Sequence, residues 1–124
     1  MTMFSLLIDR CGLSLREAAE FLGVRLDTVK SWSSGRNPTP HAVIVELRAL
    51  YSKIETAAGE LLKAAQELTK MHGEAAEIAI EIASNDREAR KRGWPCVGAQ
   101  RAAYGIAAAR SGAQFVINAR EREN

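Results

Sequence analysis

Cysteine and histidine are both scarce in this chain. Cys11 and Cys96 stand far apart and form no spacing pattern of the kind that staples small secreted domains, so no disulfide framework is expected. His41 and His72 fall outside any C-x-x-C or H-x-x-x-H pairing, so neither a metal nor another cofactor is implied. A glycine-rich phosphate loop is missing, and no nucleophile, base and acid recur together, which argues against an enzyme. No apolar run approaches the roughly 18 residues of a membrane span. Met1 to Ile8 also lacks the basic lead of a signal peptide, and a cytoplasmic protein without membrane contact is the expectation. Strong net charge is lacking too: 17 basic and 15 acidic residues leave +2, which by itself demands no polyanionic partner.

What is present is an ordinary globular balance, 47% apolar and 26% charged residues in a chain of 124, enough for one domain or two small ones. Phe4, Leu7, Ile8 and Cys11 fall on one face of a short N-terminal helix that Gly12 ends. Ser14 with Glu17 makes an S-x-x-E capping box, which opens a second helix with Leu15, Ala18, Ala19 and Leu22 inside and Gly23 as its stop. A third, short helix follows up to Gly35, with Val29 and Trp32 as its two inward anchors. Its remaining surface is polar, which suits presentation to a polar partner. Asp27 near its start has two readings, a base-contacting side chain or an N-terminal cap.

The run LSLREAAEFLGVRLDTVKSWSSGRNP, Leu13 to Pro38, resembles the helix-turn-helix of the Cro/C1-type (Xre-like) DNA-binding family. The resemblance implies a four-helix DNA-binding domain over 1–57, with the second helix of the motif in the major groove of double-stranded DNA. It places Arg25, Leu26, Asp27, Lys30 and Ser31 at base-reading positions, and gives Ser14, Arg16, Thr28, Ser34, Arg36 and Asn37 to phosphates. The family often carries Ser or Thr, then Gln, Arg or Ser, where this chain has Arg25, Leu26 and Asp27, which implies an unusual operator.

Thr39 as N-cap and Pro40 in the first turn open a fourth helix, whose apolar period continues past Gly59, the expected bend, to a stop at Gly73. Residues 58–73 are read as a connecting helix and 74–124 as a dimerisation module. Ile78, Ile80 and Ile82 alternate with Ala79, Glu81 and Ala83 in the rhythm of a strand, although the composition of 74–84 also permits a helix. Arg87, Arg90, Lys91 and Arg92 form the densest basic cluster, read as a solvated face. Val97 to Arg110 is an alanine-rich helix, and Gln114 to Ala119 a last strand, an order that allows a parallel βαβ unit whose two strands a second copy would complete. Cys96 at that helix's start is read either as a redox-sensitive thiol or as an inert buried one.

The fold expected is therefore mainly α: a helix-turn-helix domain, a long connecting helix and a small strand-helix-strand module. Gly98, Ala102, Gly105 and Ala109 make a smooth helix face that serves either packing within the chain or, as preferred here with Phe115 and Ile117 of an unpaired strand, the homodimer interface. This layout and the phrase VGAQRAAYGIAAA resemble the anti-CRISPR-associated autorepressors and YdiL-like proteins. That resemblance implies a dimeric repressor of a phage or mobile-element operon that binds an inverted repeat. The competing class is an antitoxin or anti-activator whose C-terminal half binds another protein.

Overall fold

Thr2 starts the first helix, α1 (Met3–Arg10), through a reciprocal cap: its hydroxyl accepts from the Ser5 amide at 3.1 Å, and the Ser5 hydroxyl accepts from the Thr2 amide at 2.9 Å. The Ser14 and Glu17 box forms as the sequence suggests, at 3.1 and 2.9 Å, and opens α2 (Leu15–Leu22). Gly23, in the left-handed region at φ +71°, turns the chain into α3 (Leu26–Ser34). Gly35 ends α3 in the same way, at φ +85°. In the computed structural model the described residues are 1–73 and 77–119.

Phe4, Ile8, Cys11, Ala18, Ala19, Val29 and Trp32 are buried, so the three helices meet on the faces that their periodicity marks. Leu7, Leu15 and Leu22 are half-buried at the rim of that core. The Phe4 and Trp32 rings meet edge to face, with centroids 5.5 Å apart. The Thr2 hydroxyl also donates to the Ser33 carbonyl at 3.2 Å, which ties the start of α1 to the end of α3.

The fourth helix, α4 (His41–His72), is continuous for 32 residues and passes through Gly59 without interruption. Its cap lies one residue later than the sequence suggests. The Pro40 carbonyl accepts from the Val43 and Ile44 amides, so Pro40 caps the helix and Thr39 precedes the cap. Leu47, Leu50, Ile54, Ala58 and Ala65 form its buried stripe. The Cys11 thiol donates to the Leu47 carbonyl at 3.6 Å, and the Arg10 guanidinium donates to the Tyr51 hydroxyl at 3.1 Å. Among the described residues no helix is long and apolar enough to cross a membrane.

The chain divides into two compact units, Met1–Lys53 and Ile54–Asn124. The boundary lies inside α4, so the segment read as a connector belongs with the C-terminal unit. There, β1 (Glu77–Ile82) pairs in parallel with β2 (Gln114–Ala119), with Ile78 opposite Phe115 and Ile80 opposite Ile117. Residues 77–82 are thus strand, while 74–76 and 120–124 lie outside the described residues.

Between the strands the charged run forms a helix that the sequence reading passes over, α5 (Asp86–Lys91), capped by Asn85. α6 (Val97–Arg110) follows and turns Ala99, Ala103 and Ala107 inward. Buried Gln100 accepts from the Ala83 amide at 2.8 Å, Asp86 accepts from the Val97 amide at 2.9 Å, and the Tyr104 hydroxyl donates to the Glu81 carbonyl at 2.8 Å. Arg92 is not part of a free basic face, because it pairs with Glu88 at 3.2 Å and Glu81 at 3.7 Å. Cys96 is buried.

Three stability measurements test this packing. Trp32→Ala should cost about 3–5 kcal/mol in urea denaturation, the range for an aromatic removed from a core. Gly59 is exposed and a methyl group there meets nothing, so Gly59→Ala should stabilise by about 0.5–1 kcal/mol. Burial pushes the Cys11 thiol up from 9.0 to about 11. Its neutral form is therefore favoured in the folded state, and its contribution is complete below pH 9 and lost as pH rises towards 11. Between pH 8 and 10 the wild type should lose about 1 kcal/mol more stability than Cys11→Ala.

Candidate nucleic-acid interface

A nine-residue helix is marginal alone. α3 persists because Val29 and Trp32 hold one side of it to α1 and α2, and this leaves the other side free to be polar. Arg25, Asp27 and Lys30 are exposed along that side, and Leu26 is half-buried beside them. Arg25 is the N-cap residue, and its side chain makes no capping bond. Asp27 lies inside the first turn, where a carboxylate is favoured by the helix dipole, and is not the cap. Among the described residues the side chains of Arg25, Asp27, Lys30 and Arg36 have no hydrogen-bond or ion-pair partner in the chain.

Ser31 requires a correction. It is only 2% exposed, and its hydroxyl donates to the Thr28 carbonyl at 2.7 Å, so it belongs to the inner side of α3. The spacing misleads because Ser31 adjoins both Lys30 and Trp32, and a small hydroxyl that bonds its own backbone can be buried without loss. Thr28 is half-buried. The outward stripe is therefore narrower than the sequence reading has it.

After Gly35 the chain folds back, and the Asn37 amide donates to the Ser31 carbonyl at 3.2 Å. This brings Arg36 and Asn37 beside the start of α3, around an open polar hollow of about 370 Å³ that they share with Arg25, Asp27, Thr28, Ser31 and Trp32. The sequence separates Arg25 as a base reader from Arg36 as a phosphate contact, whereas the structure sets both on the same hollow. The only signal for this in the sequence is the glycine that turns the chain. Ser34 is exposed, and its hydroxyl donates to the Ser31 carbonyl at 3.2 Å and accepts from the Arg36 amide at 3.3 Å. Ser14 and Arg16 are exposed at the start of α2, away from this hollow's lining.

In the C-terminal unit, Gly105 and Ala109 are exposed, Gly98 and Ala102 half-buried, and Ile117 is 60% exposed. Phe115 is half-buried. β2 is paired with β1 along one edge, in the parallel arrangement that the strand-helix-strand order allows, rather than left as an unpaired strand. A larger cleft of about 510 Å³ there brings Lys70 and Thr69 of α4 near the Ser111–Ala113 turn. Among the described residues that line it, Lys70 is the titratable side chain, with no acid opposite it. His41 and His72 are exposed at the two ends of α4, and among the described residues no three potential metal ligands converge.

The chain matches no protein-family model and no curated protein. A check on the reassigned residue is direct. Ser31→Ala should change stability by less than about 1 kcal/mol, because it removes one back-bonded hydroxyl, while Ser31→Leu overfills the site and should cost about 1–3 kcal/mol in the same urea experiment.

Proposed function

We propose that this chain is a sequence-specific double-stranded-DNA-binding transcriptional regulator, a dimeric repressor that lays α3 in the major groove. The observation that carries the reading is the outward stripe of α3. Three charged side chains without partners among the described residues, Arg25, Asp27 and Lys30, project from a helix fastened only on its opposite side. A single helix of this size suits the roughly 12 Å width of the major groove. Lys30 donates to guanine acceptors, Leu26 meets a thymine methyl, and Arg36 with Asn37 holds the backbone. Arg16 and the Ser14 hydroxyl at the start of α2 meet a neighbouring phosphate.

One copy supplies few such contacts, and specific regulators gain affinity by binding two half-sites. The C-terminal unit supports pairing with a second copy. A two-stranded parallel sheet is marginal by itself, and here Ile117 is largely exposed, as are the small residues Gly105 and Ala109 of α6. A two-fold dimer places two copies of α3 about 34 Å apart, one DNA turn, on an inverted repeat. The regulated operon is that of a phage or other mobile element.

Binding of selected duplexes, followed by fluorescence anisotropy across a salt series, tests the first part. Lys30→Ala should weaken the preferred site by about 1–3 kcal/mol, whereas Arg36→Ala should weaken all duplexes alike and lower the salt slope by about 1. Absence of binding by the wild type at micromolar concentration would refute the reading. Light scattering tests the second part. Gly105 is exposed and a Cβ added there meets no atom within 4 Å among the described residues, so Gly105→Leu should leave the fold intact, convert dimers to monomers and weaken DNA binding. A monomeric wild type, or a Gly105→Leu protein that stays dimeric, would overturn the interface.

A further inference from the structure

We infer that Asp27 sets sequence preference by exclusion: it admits a base whose major-groove edge carries an exocyclic amino group, cytosine or adenine, and rejects the carbonyl edge of guanine or thymine. The inference rests on the proposed docking of α3 on duplex DNA. Asp27 is exposed in the first turn of α3, has no partner in the chain among the described residues, and opens onto the same hollow as Arg25 and Arg36. Had either guanidinium paired with it, the carboxylate would be neutralised and uninformative. Neither does, and so Asp27 meets a duplex with its carboxylate oxygens unpartnered among the described residues.

A carboxylate beside two phosphate strands is repelled whatever the sequence, and the flanking Arg25 and Arg36 offset that repulsion equally for every site. The balance is then decided by the base edge. Cytosine N4 or adenine N6 donates to the carboxylate in a charge-assisted hydrogen bond. Guanine O6 and N7, or thymine O4, set acceptor against acceptor and leave a desolvated charge unpaired, which is the costlier error. Discrimination at this position therefore comes more from refusing the wrong base than from holding the right one. Lys30, three residues on along the same stripe, carries the opposite demand, for acceptors. A half-site read by this pair has an amino-bearing base at one position and guanine or thymine at a neighbouring one.

The test is selection of the full-length protein on randomised duplexes, with wild type, Asp27→Ala and Asp27→Asn compared and thermal melting used to confirm that each is folded. The wild type should enrich cytosine or adenine over guanine and thymine by about tenfold or more at one position of each half-site. Asp27→Ala should lose that preference at that position alone and bind random duplex several-fold more tightly. Asp27→Asn, which accepts and donates at once, should shift the position towards adenine, and so separates loss of charge from loss of the side chain. A variant pair that keeps the wild-type preference at every position, or that loses preference at a position where the wild type selects guanine or thymine, overturns the inference. A wild type that enriches no duplex at all fails earlier and removes the regulator reading with it.

Discussion

The N-terminal unit depends on the seating of α3 by Val29 and Trp32. Nine residues cannot sustain a helix in water, and neither cap of α3 contributes a side-chain bond at its start. Its order comes from Trp32 set edge-on to Phe4, from Val29 buried completely, and from the Thr2 hydroxyl holding the Ser33 carbonyl. Because Val29 and Trp32 do most of the holding, a narrow outward stripe with Asp27, Lys30 and Ser34 is released from packing. Arg25, Asp27 and Lys30 can stay charged and solvated, as any role in contacting a polar partner requires. Ala18 and Ala19 matter for the same reason, since small side chains on α2 let α3 come close enough for its two anchors to reach the core.

The C-terminal unit solves a different problem. Its helix α6 buries alanines and brings little apolar volume to the two strands. Directed polar bonds take up part of the task. Gln100 reaches the Ala83 amide at the end of β1, Tyr104 reaches the Glu81 carbonyl, and Asp86 caps α6 from the preceding helix. These bonds fix position better than they add stability, because each exchanges a bond to water for one within the protein. A sheet positioned in this way still has open edges and an exposed Ile117, the physical basis for expecting a second copy there.

Helix starts and stops were legible wherever local chemistry specifies them. Ser14 with Glu17 and the glycines at 23 and 35 act within a few residues of themselves, and the structure has them in those roles. β1 was legible from alternation and β2 from its short apolar run Phe115 to Ile117, although alanine and glutamate kept a helix open until pairing with β2 resolved residues 77–82. α5 was hidden because its charged residues carry no apolar period. Its cap, Asn85 with Glu88 three residues on, has the same local spacing as Ser14 with Glu17 and was open to reading, whereas the turn of Glu88 back to Ser84 shows only in the folded chain. Thr39 was read as the cap of α4 where Pro40 serves, a one-residue shift in a motif whose residues all suit a helix start.

The sequence by itself determined the mainly helical class, the order of the long elements and the two anchors of α3, because periodicity and capping are local and repeat at the spacing of the backbone. Tertiary structure alone decided which polar residues are available. Ser31 turned inward although it stands beside Lys30, Arg92 was taken up by Glu81 and Glu88, and Arg36 came round to the hollow of Arg25. Each of these outcomes depends on where another segment lies. A hydroxyl or a guanidinium has the same character in either setting, so only the approach of a distant carbonyl, carboxylate or loop determines whether it faces the protein or its partner.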